Sequence, residues 1–212
     1  MSERCKPKHF IAFTGLIGVG KSTLTDALGA AMGLPVWHEE VEGNPYLALF
    51  YADMRAHAFP LQVHLLTQRF AQQQRIVWST EGGVQDRSIY EDQVFARMLC
   101  RAGLMSELNL STYLALFETM EHFMQRPSLL VYLDVSPADA LARIKARGRP
   151  METGITLEYL TQLRDAYEAF IVDISRTVPV LRIDYTRFHS PQAIVDGITK
   201  RCAESNVRDA AF

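Results

Sequence analysis

The chain has 212 residues, 48% of them apolar, with 22 basic and 24 acidic side chains and a formal net charge of −2. This balance excludes disordered, collagen-like and membrane-spanning classes. It gives no general pull toward nucleic acid or anionic membrane, so neither is expected as a partner and any phosphate affinity must come from a local site. Cys5, Cys100 and Cys202 lie far apart in no CxxC pairing, which fits reduced thiols rather than a disulfide framework or a zinc site. Arg4, Lys6 and Lys8 precede no apolar stretch, so a signal peptide is not expected and a soluble cytoplasmic protein is.

In chain order, short apolar runs alternate with long periodic ones. The pattern predicts a strand over His9–Thr14, a helix over Lys21–Met32 closed by Gly33, and a strand over Val36–Glu39. Pro45–His57 and Pro60–Val77 read as helices, each opened by a proline in its first turn. A strand over Val84–Asp86 precedes helices around Tyr90–Ala102 and Ser106–Gln125. Leu129–Asp134 is the clearest strand, apolar up to its last residue, and Ser136-Pro137 caps a helix running to about Arg147. The Arg-rich loop around residues 147–154 is a candidate lid, followed by a helix over Thr156–Thr177, a strand over Val180–Asp184 and a helix over Ser190–Cys202. Five strands separated by helices imply an α/β fold, one domain over residues 1–212 built on a parallel sheet covered on both faces. Residues 14–22, 39–46, 86–92 and 134–136 should converge beyond the carboxyl ends of the strands.

The strongest motif, Gly15-Leu-Ile-Gly-Val-Gly20-Lys21-Ser22, matches the P-loop pattern GxxxxGK[ST] between a strand and a helix. Glycines let backbone N–H groups turn inward around phosphate oxygens, and the helix N-terminus adds partial positive charge. Gly15, Gly18, Val19, Gly20, Lys21, Ser22 and Thr23 are therefore the ATP-binding candidates, with Lys21 reaching the β/γ-phosphates and the Ser22 hydroxyl available to Mg²⁺. At the end of the second strand, Glu39, Glu40 and Glu42 are carboxylates that could take a proton from an acceptor hydroxyl, or form a solvated acidic loop. His38 reads as a packing or hydrogen-bonding residue. Asp86-Arg87-Ser88 offers a metal-binding carboxylate and a cation for a transferring phosphoryl group. Asp134 competes for the metal role, and spacing alone does not separate the two. Arg143 and Arg147 share a helix face, with Arg149 next in the loop; they could clamp phosphates or merely complement a helix C-terminus. Gln62 and Arg69 fall on one face of one helix, where spacing alone favours two solvated polar residues over a pair reading a nucleobase edge.

Together these motifs resemble the deoxyribonucleoside kinase family over about residues 9 to 160: the P-loop Gly15–Ser22, Glu39–Val41, Asp86–Ser88, and the lid Arg143–Ile155 with Arg-x3-Arg-Gly-Arg and a following glutamate. The resemblance implies a P-loop kinase fold with Mg²⁺ as cofactor, transferring the ATP γ-phosphoryl to the 5′-hydroxyl of a deoxynucleoside. It implies Glu39 as general base, Arg87 on the phosphoryl group, Asp86 with Ser22 on the metal, and Tyr51 with Glu152 on the sugar 3′-hydroxyl. Gln62 matches a base-reading glutamine, Arg69 with Asp92 the polar pair beside the base, and Ile17, Val41, Leu47, Phe50, Leu61 and Phe95 the apolar walls. Glu40 stands where the family usually has proline, and Asp86 and Asn44-Pro45-Tyr46 resemble short bacterial deoxyadenosine/deoxyguanosine kinases. The Arg69/Asp92 pair argues against thymidine and leaves adenine, guanine and cytosine open. A homodimer through the helices around Tyr90–Gln125 is expected by resemblance only. The rival classes are a nucleoside monophosphate kinase, whose charged acceptor Glu39 and Glu152 would repel, and a P-loop switch without a small-molecule acceptor.

Overall fold

The computed structural model describes residues 9–39, 43–79, 81–186 and 190–209, and within these the side chains of all but 151 and 203–209. Arg4, Cys5, Lys6, Lys8, Glu40, Val41 and Glu42 lie outside the described residues. The chain runs β1 (His9–Gly15), α1 (Lys21–Met32), β2 (Val36–Trp37), α2 (Leu47–Ala52), α3 (Met54–Trp78), β3 (Gly82–Asp86), α4 (Asp92–Arg101) and α5 (Glu107–Glu121). It continues with β4 (Leu129–Asp134), α6 (Pro137–Arg147), α7 (Leu157–Ile174), β5 (Val180–Asp184) and α8 (Pro191–Asp209), with single 3-10 turns at Ile89–Glu91 and Pro150–Glu152.

The five strands form one parallel sheet in the order β2-β3-β1-β4-β5. β1 is central because its Phe10–Phe13 run, like Leu129–Leu133 of β4, is buried on both faces. The register pairs Phe13 with Asp86 and Gly15 with Leu133, so the carboxyl ends of β3 and β4 lie level with the end of β1. That edge of the sheet is where α1, the chain after β2 and the chain after β3 all emerge.

Several boundaries differ from the sequence expectation, and those nearest the site do so for local reasons. The helix predicted over Pro45–His57 is interrupted at Asp53 (φ −145°, ψ 91°), whose carboxylate accepts from the Ala56 N–H at 3.1 Å and caps α3. Pro60, read as a helix opener, instead sits inside α3. β2 stops at Trp37 rather than Glu39, because the His38 carbonyl accepts from the Gln72 side chain at 2.7 Å instead of from a neighbouring strand. β3 begins at Gly82, ahead of Val84: Gly82 has φ +86°, and a Cβ there would lie 2.0 Å from the His9 carbonyl oxygen. Only glycine allows that approach, and apolar patterning does not register it.

The two sheet edges are unlike. β2 contributes two residues, while β5 carries Arg182, whose guanidinium reaches Asp134 at 2.6 Å and Glu168 at 2.7 Å. Among the described residues no helix is long and apolar enough to cross a membrane.

Gly82→Ala is expected to cost about 3 kcal/mol, from the strained φ and the backbone clash. In a thermal melt this appears as a fall in Tm of about 10 °C; a fall under about 2 °C would mean the β1–β3 approach is looser than the geometry states.

Candidate active site

The phosphate-binding loop follows directly from β1. Gly15 has φ +141°, and a Cβ there would meet the Leu133 carbonyl oxygen at 2.7 Å; Gly18 has φ +80° and would meet Ile144 of α6 at 2.6 Å. Both positions need glycine for conformation and for space. The first turn of α1 holds no acidic side chain, so its N–H groups and dipole remain available to an anion. Lys21 is buried and donates to the carbonyls of Gly15 at 3.0 Å and Leu16 at 2.8 Å. Burial, with the Arg87 charge adding to it, lowers its pKa to about 8.

Beside the loop, the Ser22 hydroxyl donates to Asp86 Oδ2 at 2.5 Å, and the second oxygen of Asp86 is buried without a partner. A hydroxyl and a carboxylate with a spare oxygen are hard donors that fit Mg²⁺, which takes few protein ligands and completes its shell with water and phosphate oxygens. The alternative, Asp134, is committed elsewhere: it pairs with Arg182 at 2.6 Å and Arg164 at 3.3 Å.

Glu39 leaves the end of β2 between two guanidinium groups. Its Oε1 accepts from Arg69 Nη2 at 2.5 Å and its Oε2 from Arg87 Nε at 3.1 Å. Burial pushes the Glu39 pKa up, but Arg87, Arg69 and Lys21 together more than offset this and hold it at about 2. Arg69 also forms an ion pair with the fully buried Asp92, and Arg87 forms one with the fully buried Glu91 at 2.6 Å.

These groups open onto a cavity of about 850 Å³. Gly18, Gly20, Lys21, Ser22 and Thr23 line its phosphate-loop side, and Glu39, Asp86 and Arg87 its sheet side. Tyr51, Gln62 and Arg69 line it from α2 and α3, and Arg143, Arg147, Arg149 and Glu152 from the lid. The apolar wall is Ile17, Leu47, Phe50, Leu61 and Phe95, as expected. Gln62 is not on a solvated face: it is 2% exposed, and its buried Oε1 has no partner. Gly15, Val19 and Asp92 do not line the cavity. Gly15 holds Lys21, the Val19 carbonyl accepts from Arg143 Nη1 at 3.2 Å, and Asp92 stands behind Arg69.

On the lid side, Arg147 Nη2 donates to both carboxylate oxygens of Glu152 at 2.7 Å, with Arg149 3.6 Å away. Arg143 donates to the Tyr185 carbonyl at 2.7 Å and stacks 5.2 Å from that ring. His38 bonds Asp26 at 2.9 Å, the hydrogen-bonding role read for it, and also lines the cavity. Sequence reasoning missed Asn44, Leu65 and Tyr159, which also line the cavity, and Glu91 and Tyr167, which hold Arg87. Asn44 had a signal, since Asn-Pro is a turn pair and its Oδ1 accepts from the Tyr46 N–H at 2.9 Å.

A phosphate loop, a magnesium-type donor pair and a carboxylate flanked by arginines, all on one cavity, define an α/β P-loop phosphotransferase with a small-molecule acceptor. Comparison with known proteins narrows the class. A family model described as deoxynucleoside kinase matches residues 11–204. The chain is 50% identical to a deoxyadenosine kinase of Dictyostelium discoideum, over 89% of this chain and 77% of that protein. It is 39% identical to a deoxyadenosine/deoxycytidine kinase of Bacillus subtilis (strain 168), over 92% of each. Among solved structures, a deoxyadenosine kinase from M. mycoides with the products dCMP and dCDP bound superposes with a TM-score of 0.83 at 27% identity, covering 92% of this chain and 98% of that one. The chain belongs to the deoxynucleoside kinase family of ATP-dependent phosphotransferases, and the monophosphate kinase alternative is not favoured.

Because the Glu39 pKa is lowered from 4.5 to about 2, its ion pairs contribute stability that is present in full above pH 4.5 and lost as pH falls toward 2. The gap in urea midpoint between wild type and Glu39→Gln should therefore be widest at neutral pH and close across that interval. A gap independent of pH would show that the pairs with Arg69 and Arg87 do not hold Glu39 ionised.

Proposed function

We propose that the chain transfers the γ-phosphoryl of ATP to the 5′-hydroxyl of a 2′-deoxynucleoside, deoxyadenosine foremost, with Glu39 as general base. The observation that carries the assignment of the base is the Glu39 carboxylate, held by Arg69 and Arg87 on the cavity wall that also bears Lys21 and Ser22. The identity of 50% to a deoxyadenosine kinase supports the choice of acceptor.

In this proposal the loop N–H groups and Lys21 cradle the phosphates, and Arg143, Arg147 and Arg149 approach them from the lid. Arg147 would exchange Glu152 for phosphate as Glu152 and Tyr51 take the sugar 3′-hydroxyl. Gln62, with its spare acceptor, and Arg69, backed by Asp92, would read the base. Ser22 and Asp86 would hold Mg²⁺, which would supply positive charge against the phosphates.

A carboxylate at about 2 is a weak base for an alcohol. Two effects reconcile this with its role. Phosphate shares the Arg87 and Lys21 charges and so weakens their pull on the Glu39 carboxylate. In a loose phosphoryl-transfer transition state the acceptor proton also becomes acidic only as the new bond forms, so the base accepts it late. Glu39 and Glu152 meanwhile repel an acceptor that already carries phosphate. A homodimer through the helices around Tyr90–Gln125, working in the reducing cytoplasm, completes the proposal; Leu108 and Leu116 are exposed on that surface and Cys100 and Cys202 are free thiols.

The test is a transfer assay with labelled ATP and Mg²⁺ against the four deoxynucleosides and their monophosphates. Label should enter deoxyadenosine most readily and thymidine least, and chelating the metal should stop transfer. Glu39→Gln should lose about 10²–10⁴-fold in kcat with deoxyadenosine affinity nearly unchanged. Near-normal turnover in that variant would remove Glu39 as the base.

A further inference from the structure

The structure assigns to Glu91 the role of a positioning residue: its fully buried carboxylate sets the roll of the Arg87 guanidinium, and so aims the Nη2 of Arg87 at the transferring phosphoryl group. The assignment rests on the proposed function, in which Arg87 serves that group.

Arg87 is the only non-glycine residue with positive φ among the described residues, at +68°. That conformation fixes where its side chain starts but not how the planar fork at its end is turned. One bond, from Nε to Glu39 Oε2 at 3.1 Å, leaves the plane free to rotate about it. A second anchor removes that freedom. Nη1 donates to Glu91 Oε1 at 2.6 Å and to the Tyr167 hydroxyl at 2.8 Å, while the Tyr167 hydroxyl itself donates to the same Glu91 oxygen at 3.2 Å. The Phe95 ring, 5.0 Å from the guanidinium carbon, covers one face.

With Nε and Nη1 both assigned, geometry decides the rest of the fork. Nη2 is left without a protein partner among the described residues, on a side chain that lines the cavity. Glu91 does not line the cavity, so no substrate meets it. A carboxylate retained at full burial, out of reach of any ligand, is accounted for by the cation that it orients. Tyr167 belongs to α7, which follows the lid, and Glu91 to the turn that opens α4, so packing of these two helices fixes the triangle.

The expected signature is a loss in kcat without a matching rise in the KM for deoxyadenosine. Glu91→Ala should lose about 10²-fold in kcat while KM stays within about threefold, and Glu91→Gln, which keeps an acceptor oxygen, should recover about tenfold of that loss. In an Arg87→Lys background, where no fork exists to be turned, Glu91→Ala should cost almost nothing more. An unchanged kcat, a loss confined to KM, or the same fold-loss in the Arg87→Lys background would each overturn the assignment. Should Glu91→Ala fail to fold, Tyr167→Phe carries the same test: kcat several-fold lower at constant KM supports the assignment, and unchanged kcat overturns it. Wild-type activity in the same assay separates the two levels, because an active wild type with an unimpaired Glu91→Ala overturns this assignment alone, whereas inactivity toward every deoxynucleoside overturns the proposed function with it.

Discussion

The division of one carboxylate between two guanidinium groups holds this molecule's working end together. Glu39 sits where β2 has run out, and without Arg69 from α3 and Arg87 from the end of β3 nothing would fix its position. The same two bonds join the sheet to the helix that walls the cavity. Each guanidinium is shared in turn, Arg69 with Asp92 and Arg87 with Glu91, so the charges form a chain in which Glu39 and both arginines each have two partners. At low dielectric, removal of either arginine leaves a buried carboxylate, Asp92 or Glu91, without its ion-pair partner. In the proposed function, stability and catalytic geometry are therefore carried by the same atoms.

That chain also explains how a strongly polar site tolerates burial before any nucleotide arrives. Lys21 is satisfied by two loop carbonyls, Ser22 by Asp86, and Arg147 by Glu152. In the proposed function, the carbonyls on Lys21 and the Glu152 carboxylate on Arg147 stand in for phosphate oxygens, so that binding would replace one set of oxygens by another with little new ordering of side chains.

The parts readable from sequence were those dictated by short-range geometry. The phosphate loop is legible because each glycine answers a backbone constraint within a few residues of itself. β1 and β4 are the most legible strands because a doubly covered sheet demands continuous apolar runs at its centre. The alternatives left open, Asp86 against Asp134 and a solvated against a buried Gln62, turn on partners far away in the chain. Arg182 takes Asp134 across 48 residues, and Arg69 meets Glu39 across 30. Tyr167 lies 80 residues from the arginine that it holds, and no local pattern could announce it. The break at Asp53 was a different kind of miss: the capping aspartate was in plain view, but the proline at 60 carried more weight as a boundary than the structure gives it.

The unlike edges of the sheet set a limit on how copies of the chain can meet. A strand of two residues offers only a short ladder to a neighbour, and at the opposite edge Arg182 turns its guanidinium back over β4, to Asp134, Glu168 and the Tyr132 ring. A two-residue edge strand leaves few unpaired backbone groups on the β2 side for a second sheet to extend.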